Sequence, residues 1–498
     1  MTINHATNRD DLPSGTIKAE HCPDSPQDTL PDTPPDLQLK EVTETQKQHS
    51  DECYGLKWEK GVFIPEPLWT VEPSIDAIKA ICKGFLVRTT ALMDFGELSV
   101  EFLTEGAFNK VYHVKALVKS PASYKDQIEM GLANTTREYK FACRVSLPVD
   151  PRFKTLSEVA TLQFLQLNTS IPVPRVLASN PSAIQDNHLR FEWTLQTFVP
   201  GKNLSSVWNE LGDAALDRVV RQLADYQAQL FATKFTGIGN LYATEEPAED
   251  SIDKLTIETR QTKPFSIGRI VAVPFFMGCR ASLKNNRKGP FSSSSEWLAA
   301  QLEIVEAECQ LTQENPSEKY ELEASRRISA LVKRLQSALP KFFPSSDSRL
   351  ERSVLFHNDL SQENIFVNDQ GEITAILDWE SSPCVPLWAA CDIPSLLQGK
   401  DWDSPPDPDE YGSGHNDLLF QDRLLWYQQT RLREVFLSQM RHHSLEWVEL
   451  FERSRKLRDF RLAVELCDSD LAWRKISQWL DALEQNGVSD NYYQLDME

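Results

Sequence analysis

The sequence predicts an α+β fold, with strands crowded into its first part and helices filling the second. Three observations predict it. Residues 98–114 and 141–145 carry short β-type runs. Residues 418–485 carry apolar residues at helical spacing almost without a break. Between these regions, Val354–Glu380 (VLFHNDLSQENIFVNDQGEITAILDWE) reads as a short strand, a polar loop and a tight hairpin.

The hairpin carries the chemistry. Ile365-Phe366-Val367 and Ile373–Leu377 flank Asn368-Asp369-Gln370-Gly371, a turn-forming quartet. The loop closes at Asn364 and the second run ends on Asp378, so Asp359, Asn364 and Asp378 come to one end of a small sheet. One carboxylate there can orient a hydroxyl or accept its proton. An amide and a second carboxylate are hard oxygen donors of the kind that hold Mg2+ against phosphates. The competing reading is a surface hairpin rich in Asp and Asn.

His357, Asp359, Asn364 and Asp378 reproduce the kinase spacing H-x-D-x-x-x-x-N followed by a metal-binding Asp. Asn358 follows the histidine, and Trp379-Glu380 follow Asp378. In that form the stretch resembles the aminoglycoside phosphotransferase family, fungal type, the small-molecule branch of the protein-kinase-like fold. The resemblance covers roughly residues 80 to 480. It implies two lobes, a β-rich nucleotide-binding N-lobe over 75–200 and a large, mainly helical C-lobe over 201–498. It further implies ATP and Mg2+ in the cleft, Asp359 as base, Asn364 and Asp378 as metal ligands, and His357 supporting the loop behind them.

Taken in order, residues 1–60 are rich in Pro, Asp, Thr and Ser and poor in apolar residues, which predicts a disordered tail. No basic-apolar signal or Arg-rich transit segment opens the chain, so a cytoplasmic location is expected. Ser74–Cys82 reads as a first helix. Leu98–Val114 reads as strand, turn, strand, and Gly106, Phe108 and Asn109 lie in the turn. Its wording, Glu-Gly-Ala-Phe-Asn-Lys-Val-Tyr, resembles the nucleotide loop of fungal members of the family, which implies backbone contacts to phosphate. The competing reading is an ordinary hairpin turn.

In Phe141–Val145, alternation puts Ala142 and Arg144 on one face and Phe141, Cys143 and Val145 on the other. By the resemblance, Arg144 stands where kinases carry a phosphate-binding lysine; Lys110, Lys140 and Lys154 are the alternatives. Thr155–Asn168 is an amphipathic helix with Glu158 in its first turn, the implied partner of Arg144. A first-turn acid favoured by the helix dipole is the plainer reading of Glu158. After the strand Phe191–Val199, the family's hinge implies an adenine contact at Gln196–Phe198, with Gln196 and Phe198 as the named residues.

Helices follow at Ala215–Phe231, Glu296–Cys309 and Lys319–Leu339, the last stopping before Pro340. Residues 243–294 read as irregular, and the serine run Ser292–Ser295 as flexible loop. Past Asp378, the resemblance gives Asp392 the task of pinning the catalytic-loop backbone; a helix N-cap is the alternative. The aromatics of the helices over 418–485 are expected mostly to be core; the resemblance implies that late helices also wall the acceptor pocket, where some of their acids meet a cationic acceptor.

The net charge of −21 (52 Lys+Arg against 73 Asp+Glu) argues against nucleic acid or anionic membrane and favours a cationic acceptor. Nine scattered cysteines without a C-x-x-C pair read as free thiols. The most apolar window, Ile267–Leu283, is broken by Arg269, Pro274 and Arg280, so no membrane span is expected. Nothing in the sequence sets an oligomeric state. The function predicted is phosphoryl transfer from ATP to a hydroxyl of a small molecule. A non-catalytic nucleotide-binding regulator is the alternative, and a protein kinase a weaker one, because no Ala-Pro-Glu segment follows Asp378.

Overall fold

A computed structural model of the chain describes residues 53–61, 64–90, 95–121, 134–184, 187–244, 265–316, 318–344, 350–486 and 495. The expected tail lies almost wholly outside the described residues, as does most of 243–264.

The first part is built on a hairpin, a helix and a five-stranded antiparallel sheet. β1 (Leu56–Lys60) pairs with β2 (Pro65–Trp69). Helix α1 (Ile75–Thr90) runs eight residues beyond its expected end, because the stripe Ile78, Cys82, Leu86 continues at i, i+4, i+8 and all three side chains are buried. Such burial contributes about 1.5–3 kcal/mol per large apolar side chain. The sheet order is β3 (Phe95–Glu105), β4 (Asn109–Pro121), β5 (Asn134–Ser146), β7 (Glu192–Thr197), β6 (Val176–Asn180). On β5 the expected alternation holds: Phe141, Cys143 and Val145 enter the core with α1, and Ala142 and Arg144 face away from it. Helix α2 (Phe153–Asn168) leaves the end of β5.

The connection between the parts is short and tied down. β8 (Lys202–Asn203) pairs with β13 (Ile365–Val367), which itself pairs with β14 (Ile373–Ile376), so the chain leaving the large sheet is stitched to the catalytic hairpin. Gly201, at φ +109°, makes that crossing. A Cβ there would lie 2.4 Å from Thr374 Oγ1 and 2.8 Å from the Val367 carbonyl, which only glycine avoids.

The second part is mainly helical: α3 (Asp213–Ala232), α4 (Ser294–Glu314), α5 (Lys319–Phe342), α6 (Leu418–His443), α7 (Leu445–Arg453), α8 (Arg455–Glu465) and α9 (Trp473–Asn486). Leu223, Leu298, Val332, Phe436, Trp447, Phe460 and Trp479 fill its core. Short strands lie beneath the site: β9 (Phe235–Thr236), β12 (Arg352–Leu355) and β15 (Cys384–Pro386) form one sheet, and β10 (Leu241–Ala243) pairs with β11 (Phe265–Ile267). Among the described residues no helix is long and apolar enough to cross a membrane. Cys82, Cys143, Cys279, Cys309, Cys384, Cys391 and Cys467 are free thiols.

Two expectations fail locally. α5 runs through Pro340 to Phe342 because Leu339, Phe342 and Phe343 are buried there, and the bond a proline forfeits falls in the last turn. The stretch 265–294, expected to be irregular, is so apart from Phe265–Ile267 and two short helical turns, Val273–Phe276 and Arg280–Ser282, and it is packed: Val271 and Phe276 enter the first core and Phe275 the second. The serine run is fixed as well. Ser293 Oγ accepts from Glu296 N and caps α4, and Ser294 is held by Glu351 and by Trp388 Nε1.

Helix α2 opens at Arg152, at φ +68°, where no side chain of the helix caps it. Glu192 of β7 does so from the sheet: its Oε1 accepts from Arg152 N at 2.6 Å. Burial pushes the Glu192 carboxyl from an ordinary 4.5 up to about 7, against that hydrogen bond, which favours the charged form. A carboxyl with a raised folded pKa holds its proton better in the fold. Its stabilisation is therefore full below about pH 4.5 and is lost as pH rises through about 7. The loss amounts to about 3 kcal/mol at 1.36 kcal/mol per pH unit. Glu192→Gln should flatten the stability profile between pH 4.5 and 7 in denaturant titrations and exceed the wild type above pH 7. A profile as steep as the wild type's would place the titrating group elsewhere.

Candidate active site

β12 ends in buried Val354 and Leu355, and the loop that follows is fixed by its own histidine. Asp359 N donates to His357 Nδ1 at 3.1 Å, so that nitrogen is the acceptor. The ring proton then sits on Nε2, which donates to the Leu377 carbonyl at 2.9 Å. Burial lowers the His357 pKa, and the neutral ring is the form these two bonds need. His357 thus ties the catalytic loop to the end of the hairpin, its ring edge-on to Trp379 at 4.6 Å. Asn358 adds a second tie, donating to the Ser381 carbonyl at 2.6 Å.

Asp359 is exposed, and two neighbours orient its carboxylate. Asn364 Nδ2 donates to Oδ2 at 3.1 Å and to the Asp359 carbonyl at 2.9 Å. Ser395 Oγ donates to Oδ1 at 3.2 Å. Because the Asn364 amide nitrogen is turned into the loop, its carbonyl oxygen is turned away from it. Asp378 leaves β14 at φ +62°, a left-handed turn that aspartate tolerates better than most residues.

Across the cleft lies a buried network of charges. Arg144 Nη2 meets Asp378 Oδ1 at 2.7 Å and Glu380 Oε2 at 2.9 Å, and Arg144 Nε lies 3.4 Å from Glu158 Oε1. Lys154, one turn before Glu158 on the same face of α2, places Nζ 2.6 Å from Glu380 Oε2. It also donates to Asn109 Oδ1 at 2.9 Å and Ser146 Oγ at 3.3 Å. Asn109 Nδ2 in turn donates to Glu380 Oε2 at 2.8 Å. Burial opposes the Glu380 carboxylate, but Lys154 and Arg144 hold its pKa down at about 2. Burial also pushes Glu158 up, against the pull of Arg144 and Lys154.

The structure therefore brings Asp359, Asn364, Asp378, Arg144, Glu158 and Asn109 to one region. It arranges the others differently. Gly106 is exposed, with open space where a Cβ would be, and Phe108 packs edge-on to Phe276 at 5.5 Å. Asn109 spends its side chain on Glu380, Ser146 and Lys154 across the lobes. Gln196 sits inside the sheet, opposite Ala142 on one side and Val176 on the other, so the strand flanks it where a hinge contact was expected. Phe198 stacks on His113 at 4.3 Å. Asp392 does not reach the catalytic loop: its Oδ1 accepts from Ile393 N and lies 3.6 Å from Arg458 Nε. The turn at Ser395–Leu397 meets the loop instead, with Leu396 N donating to the Leu360 carbonyl at 3.0 Å.

Sequence reasoning left Glu380, Ser146 and Ser395 without a role and held Lys154 only in reserve. Two signals were present. Glu380 follows Asp378 by two residues, and Lys154 precedes Glu158 by four, one helical turn. Of the other two reserve lysines, Lys110 is bound to Glu72 and Lys140 to Glu138.

The profile of the phosphotransferase enzyme family (APH) matches residues 109–424. The chain is 28% identical over 269 residues to "Altered inheritance of mitochondria protein 9, mitochondrial" of Zygosaccharomyces rouxii, covering 48% of this chain and 42% of that one. It is 23% identical to a subtelomeric hrmA-associated cluster protein of Aspergillus fumigatus, covering 62% and 63%. The chain thus spans about half the length of the curated relatives it matches. Among solved structures, it is similar to an ADP-bound aminoglycoside phosphotransferase (12% identity, 83% of this chain and 93% of that one, TM-score 0.36). It is similar also to a macrolide 2'-phosphotransferase of Brachybacterium faecium (15% identity, 83% and 94%, TM-score 0.34).

Lys154 gives a test of the network. Lys154→Met should lower the unfolding free energy by about 3 kcal/mol, the scale for breaking a buried ion pair. Lys110→Met, whose partner Glu72 is 74% exposed, should cost under about 1 kcal/mol. Equal losses in chemical denaturation would mean that Lys154 holds nothing that Lys110 does not.

Proposed function

Since the chain belongs to the phosphotransferase enzyme family, we propose that it transfers the γ-phosphoryl group of ATP, with Mg2+, to a hydroxyl of a small molecule. One observation carries the reading. An exposed carboxylate, Asp359, is oriented by Asn364 and Ser395, and Asp378 and Glu380 at the end of the same hairpin meet Arg144 and the buried Lys154 of the first lobe.

Asp359 accepts the proton of the acceptor hydroxyl as that oxygen attacks phosphorus, and its two hydrogen bonds keep the carboxylate aimed. Asn364 and Asp378 fit Mg2+: the first has a carbonyl oxygen turned out of the loop, and the second is engaged by Arg144 through Oδ1 alone. Magnesium prefers few protein oxygens and keeps its other positions for water and phosphate. When bound, it supplies neutralisation of the phosphate charge. Arg144 and Lys154 add fixed positive charge on the side of the first lobe, where phosphate oxygens carry the transferring group. Glu158 steadies Arg144 from α2.

This reading puts the acceptor beside the loop after Ser395, whose Oγ meets Asp359. Asp403, Asp407, Asp409 and Glu410 give that loop a negative field that suits a cationic, hydroxylated molecule, while Asp401 is paired with Arg433 and the rings of Trp402 and Tyr411 are already met by Arg423. The expected cytoplasmic location stands against relatives named mitochondrial, and fractionation of the tagged chain decides between the two.

A nucleotide-binding regulator is the second reading. The ion pair between Arg144 and Asp378 favours it, because it occupies the metal-binding carboxylate from the opposite lobe. The complete Asp359–Asn364–Asp378 set opposes it. A screen of hydroxylated amines and sugars for stimulated ADP release separates the two. With an acceptor in hand, Asp359→Asn should lower turnover by about two to four orders of magnitude and leave MgATP affinity near normal. Unchanged turnover would remove Asp359 from the chemistry, and nucleotide binding without release by any acceptor would support the regulator.

A further inference from the structure

Glu380 Oε2 sits in an unusual position for a side chain that is nine-tenths buried. One oxygen is met by three groups from three elements of the opposite lobe: Lys154 Nζ at 2.6 Å and Arg144 Nη2 at 2.9 Å as ion pairs, and Asn109 Nδ2 as a hydrogen-bond donor at 2.8 Å. Two of the donors are cationic. Convergent, charge-assisted donors on a single anionic oxygen are what a phosphate oxygen requires of a protein. Here a side chain of the chain itself supplies that oxygen.

We propose that Glu380 is a built-in competitor of phosphate, holding the anion seat in the ligand-free chain and yielding it when nucleotide phosphates arrive. The inference rests on the nucleotide-binding reading above and adds how that site is kept closed. Three facts support exchange over a permanent pin. First, the network is already anion-rich: Glu158, Asp378 and Glu380 face only Arg144 and Lys154. A polyphosphate entering beside an unmoved Glu380 would meet a net negative wall. Second, both cations are nearly enclosed, with 14% of the Arg144 side chain and 2% of the Lys154 side chain exposed, so an incoming phosphate must take over the contacts that exist. Third, the backbone beside Glu380 is anchored, with Trp379 2% exposed and donating from Nε1 to the Ile376 carbonyl, so the exchange is a movement of the glutamate side chain and not of the loop.

The exchange predicts that removing the charge of Glu380 weakens the empty protein but strengthens its hold on phosphate. Glu380→Gln keeps the size of the side chain and loses its charge. Binding of inorganic tripolyphosphate and of ADP, both without metal, is measured by calorimetry on the full chain, beside the thermal midpoint of the ligand-free protein. The variant should bind both about tenfold more tightly than the wild type, the scale of one charge-assisted hydrogen bond, while its midpoint falls. Glu380→Asp, which keeps the charge but is too short to reach all three donors, should gain affinity in the same direction and serves if the glutamine variant does not fold. Equal or weaker metal-free binding in these variants overturns the proposal and makes Glu380 a structural pin. A defect seen only when Mg2+ is added overturns it too, and makes Glu380 a metal ligand. A wild type and variants that bind neither ligand even when Mg2+ is added bring down the nucleotide reading itself, and the proposal with it.

Discussion

Lys154 is almost sealed from water, and an ammonium in that position persists only if a carboxylate meets it. That carboxylate is Glu380, which belongs to the other lobe. Much of the site's geometry follows from this one pairing. The pair draws the start of α2 onto the end of the catalytic hairpin, and Asn109 and Ser146 complete the hydrogen bonds that a buried lysine demands. Arg144 is then placed within reach of both Glu158 and Asp378. The contact between the lobes, the position of α2 and the pairing of Asp378 are therefore one problem in electrostatics.

The catalytic loop is governed separately, by neutral hydrogen bonds. His357 has its tautomer set by the Asp359 amide and its orientation by the Leu377 carbonyl, and both contacts are made behind Asp359. Asp359 is thus exposed and still held. Charged contacts gather about Arg144 and Lys154, and uncharged ones fix the loop that carries Asp359.

Much of this was legible from spacing. Asp359, Asn364 and Asp378 could be read together because a hairpin must return its second strand to where the first began, and the Asn-Asp-Gln-Gly turn fixed its length. Alternation gave the face of Arg144 on β5, but its pairing with Glu158 came from the resemblance; the expected place of Glu158 in the first turn does not hold, because the helix starts at Phe153 and puts Glu158 in the second turn. The side chains across the cleft were harder to read. Lys154 and Glu380 are local signals on their own elements, but nothing in either element says that they meet across 225 residues of intervening chain. Gln196 and Asp392 were placed by resemblance alone, and each is claimed by a nearer partner: the neighbouring strands in one case, and Ile393 with Arg458 in the other. The serine run misled for a different reason. Composition alone reads as flexibility, and only the position of Glu296 three residues after Ser293 hinted at a cap.

The central claim is that one cleft, bounded by Arg144 and Lys154 on one side and by Asp359, Asn364 and Asp378 on the other, receives a metal-bound nucleotide. The most direct measurement is a crystal structure of the chain with Mg2+ and a non-hydrolysable ATP analogue. The account predicts the ion on Asp378 and Asn364, phosphate oxygens against Lys154 and Arg144, and the terminal phosphate facing Asp359. A nucleotide bound away from this cleft, or an ion that touches neither Asp378 nor Asn364, would contradict it.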